Sequence, residues 1–289
     1  MNFLRRPSKL RTLLLLGRVS NLPTVWSDCL AGWWLGGGGS WPALACVTLS
    51  ASLLYEGGMF LNDAFDAEFD RRHRRLRPIP SGAISEREVW QWGLTWLALG
   101  LATVGWLGIP VVAWAAVLCG LILLYNAVHK WAPVAPVLMG SCRWCVYLLA
   151  ASTAGQGVTG EVIWKGLALG AYVVGVSCLA RKENSRARIN LWPALLLATP
   201  LVFAGLIDDG SGWEAAVVYA LFLAAWTSWA LSRSLGPAEP NLPYTVSCLL
   251  AGIVLVDGLA VANASEPRAA LFALWFALAL WLQRSIPAT

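Results

Sequence analysis

Residues 110–128 read PVVAWAAVLCGLILLYNAV, a stretch without a charged side chain that is long enough to cross a bilayer as one helix. The rest of the chain has the same character, because hydrophobic residues make up 58% and charged residues only 13% of its 289 residues. An average soluble domain carries about 25% charged residues. This composition excludes a soluble enzyme, a disordered chain and a nucleic-acid-binding module. It predicts an all-α protein that crosses the membrane many times.

The apolar stretches outside residues 110–128 follow one another closely. Ten candidate spans lie near residues 12–36, 41–61, 88–107, 110–128, 134–154, 162–180, 191–207, 214–235, 243–263 and 268–285. Only a short connector at residues 266–268 separates the last two, so nine spans remain an alternative. Little sequence is left over, and we predict a single transmembrane domain over residues 1–289, a bundle of nine to ten helices.

The positive charges are unevenly distributed between the predicted loops. Of the 21 Lys and Arg residues, 18 fall in the N-terminal segment, the loops after even-numbered spans and the C-terminal segment. Loops rich in Lys and Arg face the cytoplasm in multi-pass proteins. The sequence therefore predicts a protein of the cytoplasmic membrane whose basic loops are cytoplasmic.

The most informative polar stretch is residues 56–82, EGGMFLNDAFDAEFDRRHRRLRPIPSG. On a helix, Asp63, Asp66 and Asp70 fall within about 60° of arc. Carboxylates aligned in this way repel each other and are typical ligands of a hard cation such as Mg²⁺, which commonly bridges carboxylates to phosphates. The cationic run 71–77 follows directly and can hold anionic oxygens. The pattern predicts a Mg²⁺–diphosphate site, and the alternative is an acidic helix end neutralised by the arginines.

These residues also resemble a known family. Residues 62–70 spell N-D-x-x-D-x-x-x-D and residues 77–82 read R-P-I-P-S-G, which resembles the first signature of the UbiA superfamily of intramembrane prenyltransferases. The resemblance implies a helix bundle around a central cavity open to lipid. It also implies transfer of an isoprenyl group from an allylic diphosphate donor to a lipophilic or aromatic acceptor. The catalytic residues and main Mg²⁺ ligands would be Asp63 and Asp66, assisted by Asn62 and Asp70.

Further positions extend the resemblance toward the N-terminus and to the loop after span four. Arg18 and Asn21 resemble the family's N-terminal Arg-x-x-Asn, and Tyr125 and Lys130 resemble more weakly its Tyr and Lys segment. The residues expected to bind substrate are Arg18, Asn21, Asn62, Arg71, Lys130, Arg181 and Lys182. Aromatic side chains can stabilise an allylic carbocation, and the candidates for the cavity wall are Tyr55, Phe60, Tyr125, Trp144, Tyr147 and Tyr172.

The loop after span six departs from the family, which carries a second aspartate motif there. Residues 180–188 read ARKENSRAR, with four cations and Glu183 as the one carboxylate. We expect the cations, Arg181 and Lys182 among them, to contact the diphosphate in place of a second metal ion. Two alternatives are weak coordination by Glu183 and Asn184, and loss of transfer, which leaves a non-catalytic isoprenoid-binding protein. This departure resembles a subgroup called EboC-like, whose acceptor we do not assign.

Several polar residues lie inside predicted spans, where they are costly and usually functional. Asp28, Glu56 and Arg143 are expected in one layer below the acidic cluster. Either Arg143 is neutralised by Glu56 or Asp28 to hold the bundle together, or the layer binds or deprotonates the acceptor. Asp257 has no assignment, and His129 is expected to be solvated. A transporter of a small anion is the weakest alternative, because we detect no inverted repeat of the acidic motif.

Overall fold

The structure is a computed structural model that describes residues 8–181, 192–207, 213–235, 241–262 and 266–288. Within these ranges the chain forms helices and turns and no β-strand, which confirms the all-α prediction. The helices are α1 (Lys9–Leu16), α2 (Leu22–Leu35), α3 (Trp41–His73), α4 (Glu86–Thr103), α5 (Ile109–Val128), α6 (Ala135–Ala151), α7 (Gly160–Ala180), α8 (Trp192–Leu197), α9 (Thr199–Ile207), α10 (Trp213–Leu235), α11 (Leu242–Ala251), α12 (Ile253–Val261) and α13 (Glu266–Gln283).

Each predicted span corresponds to one helix or to two consecutive helices in the described ranges. Three spans are interrupted: α1 and α2 are separated by a turn, α8 and α9 meet at Ala198, and α11 and α12 meet at Gly252. Proline follows the first two breaks, at Pro23 and Pro200, and proline is compatible with a first helical turn but not with a helix interior. At Gly252 the backbone lies close to a neighbour, since a Cβ there would lie 2.6 Å from the hydroxyl of Tyr172.

Five helical segments of the described chain are long and apolar enough to cross a membrane by length and composition. They are α3, α5, α7, residues 213–234 of α10, and the continuous stretch 242–261 formed by α11 and α12. Shorter apolar helices, including α6 and α13, accompany them. The arrangement is that of a multi-pass membrane protein.

Helix α3 is longer than predicted, because it continues twelve residues past the expected end at residue 61, to His73. No glycine or proline occurs between residues 62 and 73, and the three basic residues of the last turn suit the negative end of the helix dipole. After His73 the chain turns, with the N–H of Arg77 donating to the carbonyl of Arg74, and Gly82 takes a φ of +72°. The loop thereby folds back along the end of α3, and Ser85 and Glu88 then start α4 with a reciprocal capping box.

Small residues let the helices around the site approach closely. A Cβ on Gly140 of α6 would lie 2.4 Å from the carbonyl oxygen of Gly170 on α7. A Cβ on Gly57 of α3 would lie 2.9 Å from the carbonyl oxygen of Gly93 on α4. Membrane helices associate largely through packing of this kind. The contacts fix α3 against α4 and α6 against α7, and the site lies between these two pairs.

Candidate functional site

A cavity of about 200 Å³ lies between the helices, and most of its wall is apolar. Its polar lining is contributed mainly by Arg18, Asn21, Tyr125, Asn126 and Arg143. Its apolar lining includes Val25, Ala51, Met59, Leu118, Ile122, Met139, Val146, Val173, Val176, Val246, Leu250 and Ile253. This wall suits an apolar chain.

Two of the six aromatic residues expected at the cavity wall line it. Tyr55 and Tyr125 do so, while Phe60, Trp144, Tyr147 and Tyr172 pack elsewhere in the protein. Tyr147 and Tyr172 belong to the largest hydrophobic core and are fully buried. The prediction for the other four was therefore wrong, because helical periodicity does not distinguish a cavity wall from the protein core.

Cations hold the carboxylate of Asp63 on α3. Arg77 Nη1 donates to Asp63 Oδ1 at 2.8 Å, and Arg18 Nη2 lies 3.9 Å from the same oxygen. Only 7% of the Asp63 side chain is exposed, so this pairing is largely shielded from solvent. Arg77 reaches Asp63 because the loop after α3 folds back. Arg18 also lines the cavity and thereby connects it to Asp63, whereas Asp63, Asp66 and Asp70 are not among the lining residues.

Asp66, one turn further along α3, contacts the end of α5 and the loop that follows. Lys130 Nζ lies 2.6 Å and His129 Nε2 3.1 Å from Asp66 Oδ1. The other ring nitrogen of His129 lies 3.0 Å from the carbonyl oxygen of Asn126. Both ring nitrogens thus face oxygen atoms, and the ring lies between α3 and the end of α5. The expectation that His129 is solvated was wrong, since only 15% of its side chain is exposed.

Asp70 and Asn62 complete the sequence motif. Asp70 is 2% exposed, and its Oδ1 receives no hydrogen bond from any described residue. Asn62 donates to the side-chain oxygen of Asn126 at 3.1 Å, and Asn126 in turn donates to the carbonyl of Gly58. Asn126 links α3 to α5 and lines the cavity. Its position gave no signal in the sequence beyond a polar residue within an apolar span.

The residues of the acidic motif fit a Mg²⁺ ion only in part. The donors are oxygens only, and the unsatisfied Oδ1 of Asp70 could accept a cation, as a Mg²⁺ site requires. However, the described residues contain no group of three or more His, Cys, Asp or Glu side chains arranged to hold a metal ion. Asp63 and Asp66 are engaged by cations instead. Binding of Mg²⁺ at this motif remains a prediction, and it requires Arg77 and Lys130 to release the two carboxylates.

The turn between α1 and α2 brings Arg18 and Asn21 to the cavity, where both were expected. Arg18 is the one non-glycine residue of the described chain with a positive φ, +47°, and such backbone conformations are concentrated at functional sites. Asn21 is 4% exposed and donates its amide to the carbonyl oxygen of Ala288, at 3.0 Å. Ala288, which follows α13, also lines the cavity, so the C-terminal segment contributes to the wall.

The remaining residues predicted to bind substrate lie further out. Arg71 pairs with Glu86 at 2.5 Å and with Glu68 at 3.4 Å on the exposed side of α3. Arg181 donates to the carbonyl oxygens of Ala132 and Pro133 at 3.1 and 3.4 Å, in the loop that carries Lys130. Neither arginine lines the cavity. Lys182, Glu183, Asn184, Arg186 and Arg188 lie outside the described residues.

A second polar cluster lies at Arg143 of α6, which also lines the cavity. Arg143 Nη1 donates to Asp28 Oδ2 at 2.5 Å and Nη2 donates to Thr24 Oγ1 at 2.9 Å, so Asp28 and not Glu56 is its partner. Asp257 of α12 accepts from Ser27 at 2.5 Å and from Tyr147 at 2.6 Å. Both aspartates are fully buried.

The cavity and its charged end together suit an amphiphile with an anionic head group and an apolar tail. Comparison with known proteins agrees with this description. The model of the UbiA prenyltransferase family matches residues 20–281. The chain therefore belongs to the UbiA prenyltransferase family, which confirms the resemblance seen in the sequence.

Individual relatives are more distant. A 4-hydroxybenzoate octaprenyltransferase from Paracidovorax citrulli is 29% identical over 143 residues, which is 47% of this chain and 48% of that protein. A digeranylgeranylglyceryl phosphate synthase from Ignicoccus hospitalis is 39% identical over 92 residues, which is 32% of this chain and 30% of that protein. The matches thus span 48% and 30% of the length of these two curated relatives.

A solved structure shows the same fold over nearly the whole chain. A UbiA homolog from Archaeoglobus fulgidus, bound to GPP and Mg²⁺, superposes with a TM-score of 0.64 at 17% identity, over 94% of this chain and 99% of that one. At this identity the likeness establishes the fold of the bundle. It confirms the predicted architecture of a transmembrane helix bundle.

Proposed function

We propose that this protein transfers an isoprenyl group from an allylic isoprenyl diphosphate to a lipophilic or aromatic acceptor, and that the reaction depends on Mg²⁺. One observation carries the proposal. Two aspartates, Asp63 and Asp66, meet three cations, Arg18, Arg77 and Lys130, in a charged end that adjoins a mainly apolar cavity through Arg18. A diphosphate head suits the charged end, and an isoprenyl chain suits the apolar wall.

The proposed metal ligands are Asp63 and Asp66, with Asn62 and Asp70 assisting. A bound Mg²⁺ supplies neutralisation of the charge that develops on a departing pyrophosphate. A relative of this protein supports the dependence on Mg²⁺, because the UbiA homolog from Archaeoglobus fulgidus is bound to GPP and Mg²⁺. Asp63 and Asp66 are the catalytic residues of this proposal because they would contact the donor through the ion.

The cations of the site have a second task in this proposal. Arg77 and Lys130 neutralise the aspartates in the structure, at 2.8 and 2.6 Å, and they become available for phosphate oxygens when the aspartates take a metal. Arg18 lines the cavity and lies 3.9 Å from Asp63, so it can bind the donor at the boundary between head and tail. Arg71 and Lys182 are proposed as outer contacts of the head group.

The apolar wall has a chemical role as well. An allylic cation must be kept away from water, and aromatic faces stabilise it. Tyr55 and Tyr125 are the aromatic side chains on this wall. They are proposed to face the reacting carbon, while the apolar side chains exclude water from it.

Arg181 is proposed to act in place of the second metal ion of the family. Its guanidinium contacts the carbonyls of residues 132 and 133, within the loop that positions Lys130 against Asp66. It therefore stabilises this loop, and we propose that its charge and that of Lys182 attract the diphosphate. We further propose that the basic loops face the cytoplasm and that the donor enters the site from that side.

One observation favours a second candidate, a non-catalytic isoprenoid-binding protein. The described residues present no ready group of three metal ligands, and both main aspartates are neutralised by cations. Such a protein would bind an isoprenyl diphosphate without releasing pyrophosphate.

The test uses purified protein in lipid nanodiscs, geranyl diphosphate as the donor probe and a lipid extract as the source of acceptor. Wild-type protein is expected to release pyrophosphate only with Mg²⁺, and Asp66→Ala is expected to abolish this release. Glu161→Gln is the matched control, because Glu161 lies on α7, is exposed, pairs with Lys165 and does not line the cavity. Pyrophosphate release by Asp66→Ala at the wild-type rate would refute the assignment. Saturable donor binding without release by the wild type would favour the binding protein.

A further inference from the structure

The buried cluster at Arg143 is not used by the proposed chemistry of the donor. Arg143 lines the cavity about 12 Å along α6 from its first residue, counted at 1.5 Å per residue. Its guanidinium has five N–H donors, and it makes two hydrogen bonds in the described structure, to Asp28 and Thr24. Donors therefore remain at the wall of a mainly apolar cavity, apart from the charged end formed by α3.

The contacts of Arg143 fix its position. Asp28 and Thr24 lie one turn apart on α2 and hold the two terminal nitrogens, at 2.5 and 2.9 Å. The ring of Tyr55 on α3 lies beneath the guanidinium, with its centroid 5.9 Å from Cζ. A guanidinium held from two sides is preorganised, so little conformational freedom is lost when a ligand binds to its free donors.

The charge of Arg143 is balanced within the cluster. Asp28 Oδ2 forms an ion pair with Arg143 Nη1 at 2.5 Å, and both side chains are buried. No N–H or O–H group of another described residue reaches Asp28 Oδ1. Asp257 also lies among donors only, the hydroxyls of Ser27 and Tyr147. Asp28 therefore balances Arg143, and Asp257 is held beside the pair by two hydroxyl donors.

We propose that Arg143 is the anchor for the acceptor, and that it selects an uncharged head group bearing an oxygen, such as a hydroxyl or a carbonyl. This inference rests on the proposed function, because it names the acceptor's side of the same cavity. Arg143 offers donors and no acceptor, so the head group must accept a hydrogen bond. The cluster is already neutral, so a carboxylate or phosphate head would leave a net negative charge in a mainly apolar cavity, which is costly.

The second guanidinium of the cavity does not remove this selectivity. Arg18 belongs to the charged end, where it lies 3.9 Å from Asp63 and where the donor's diphosphate is proposed to bind. Arg143 and Arg18 therefore serve different substrates. The acceptor head binds at a neutralised arginine, and the donor head binds at the cations of the charged end.

The experiment measures binding of two isosteric probes, 4-propylbenzamide and 4-propylbenzoate, to protein in nanodiscs by calorimetry. Empty nanodiscs correct for partition into lipid. Donor and Mg²⁺ are absent, so the result does not depend on whether the protein is a transferase. The wild type is expected to bind the amide about tenfold more tightly than the carboxylate. Equal or tighter binding of the carboxylate would overturn the proposal.

Variants test the charge argument. Asp257→Asn should keep the preference for the amide, because Asp28 still balances Arg143. Asp28→Asn alone leaves the carboxyl group of Asp257 beside the cluster, so the decisive variant removes both carboxyl groups. The double variant Asp28→Asn/Asp257→Asn removes both and should reverse the preference by about tenfold toward the carboxylate. An unchanged preference in this variant would contradict the charge argument.

A second double variant tests the anchor itself with little risk of unfolding. Arg143→Met/Asp28→Asn removes both members of the ion pair together, and such neutral replacements of buried pairs are tolerated. It should bind the amide at least about tenfold more weakly than the wild type while retaining its fold. Wild-type affinity for the amide in this variant would show that Arg143 is not the anchor.

Discussion

Replacing Lys130 with methionine separates its two proposed tasks, because they predict changes of opposite sign. In the structure, Lys130 Nζ lies 2.6 Å from Asp66 Oδ1 and 3.2 Å from the carbonyl oxygen of Phe65. If Asp66 binds Mg²⁺, Lys130 competes with the ion, and Lys130→Met should tighten Mg²⁺ binding. If Lys130 also binds phosphate oxygens, the same change should weaken binding of geranyl diphosphate.

The expected size of the two changes in affinity follows from the solvent exposure of the Lys130–Asp66 ion pair. The side chains of Lys130 and Asp66 are 32% and 14% exposed, so the pair is stronger than a surface ion pair, which contributes up to about 1 kcal/mol, but is still screened by solvent. A value of about 1 kcal/mol corresponds to a change of about fivefold in an equilibrium constant at 25 °C. We therefore expect the Kd for Mg²⁺ to fall about fivefold, and the Kd for geranyl diphosphate to rise by at least a similar factor.

Two calorimetric titrations measure these changes on protein in nanodiscs: Mg²⁺ without donor, and geranyl diphosphate at saturating Mg²⁺. Lys165→Met is the matched control, because Lys165 pairs with Glu161 on α7 and does not line the cavity. General damage to the fold would weaken both ligands together. Unchanged or weaker Mg²⁺ binding in Lys130→Met would refute the reasoning that the lysine and the ion share Asp66.

The other predictions concern the donor, the buried ion pair and helix packing. Arg18→Lys keeps the charge but loses the planar guanidinium, so the affinity for geranyl diphosphate should fall, and an unchanged Kd would argue against its placement at the diphosphate. Arg181→Gln should weaken the same binding by removing one positive charge near it, as measured by the same titration. Arg143→Met should lower the free energy of unfolding by about 3–5 kcal/mol, because it leaves Asp28 charged and buried, and adding Asp28→Asn should recover most of this loss in a denaturation experiment. Gly140→Ala should cost about 1–3 kcal/mol in the same experiment, since its new Cβ would meet the backbone of the next helix at 2.4 Å.

The succession of helices was readable from the sequence because hydrocarbon imposes a minimum length of apolar residues on each span. Predicted spans and observed helices agree in order throughout the described chain. Their interruptions did not follow from hydropathy. The breaks at Gly17–Asn21 and Gly252 depend on local chemistry, a proline in the next turn in the first case and close contact with Tyr172 in the second.

The charged site was predicted in part. The alignment of Asp63 and Asp66 on one face follows from helical periodicity alone. Their partners could not be predicted in the same way, because Arg77 reaches Asp63 only after the loop folds back, and His129 reaches Asp66 from another helix. Asp257 illustrates the same limit: its neighbours in space, Ser27 and Tyr147, are 230 and 110 residues away in the chain.

The uninterrupted course of α3 ties the proposed chemistry to the packing of the bundle. From Trp41 to His73 it is one helix of 33 residues, about 50 Å long at 1.5 Å per residue, and it carries both the Gly57 contact with α4 and the aspartates of the site. Since no turn separates the Gly57 contact from the aspartates, the rotation and rise of one α-helix fix their relative positions. Inserting one residue between Gly57 and Asp63 would rotate the carboxylates by about 100° relative to the packed face, whereas inserting seven would nearly restore their direction at about 10 Å greater height. Evolution can thus vary the side chains of this segment far more freely than its length.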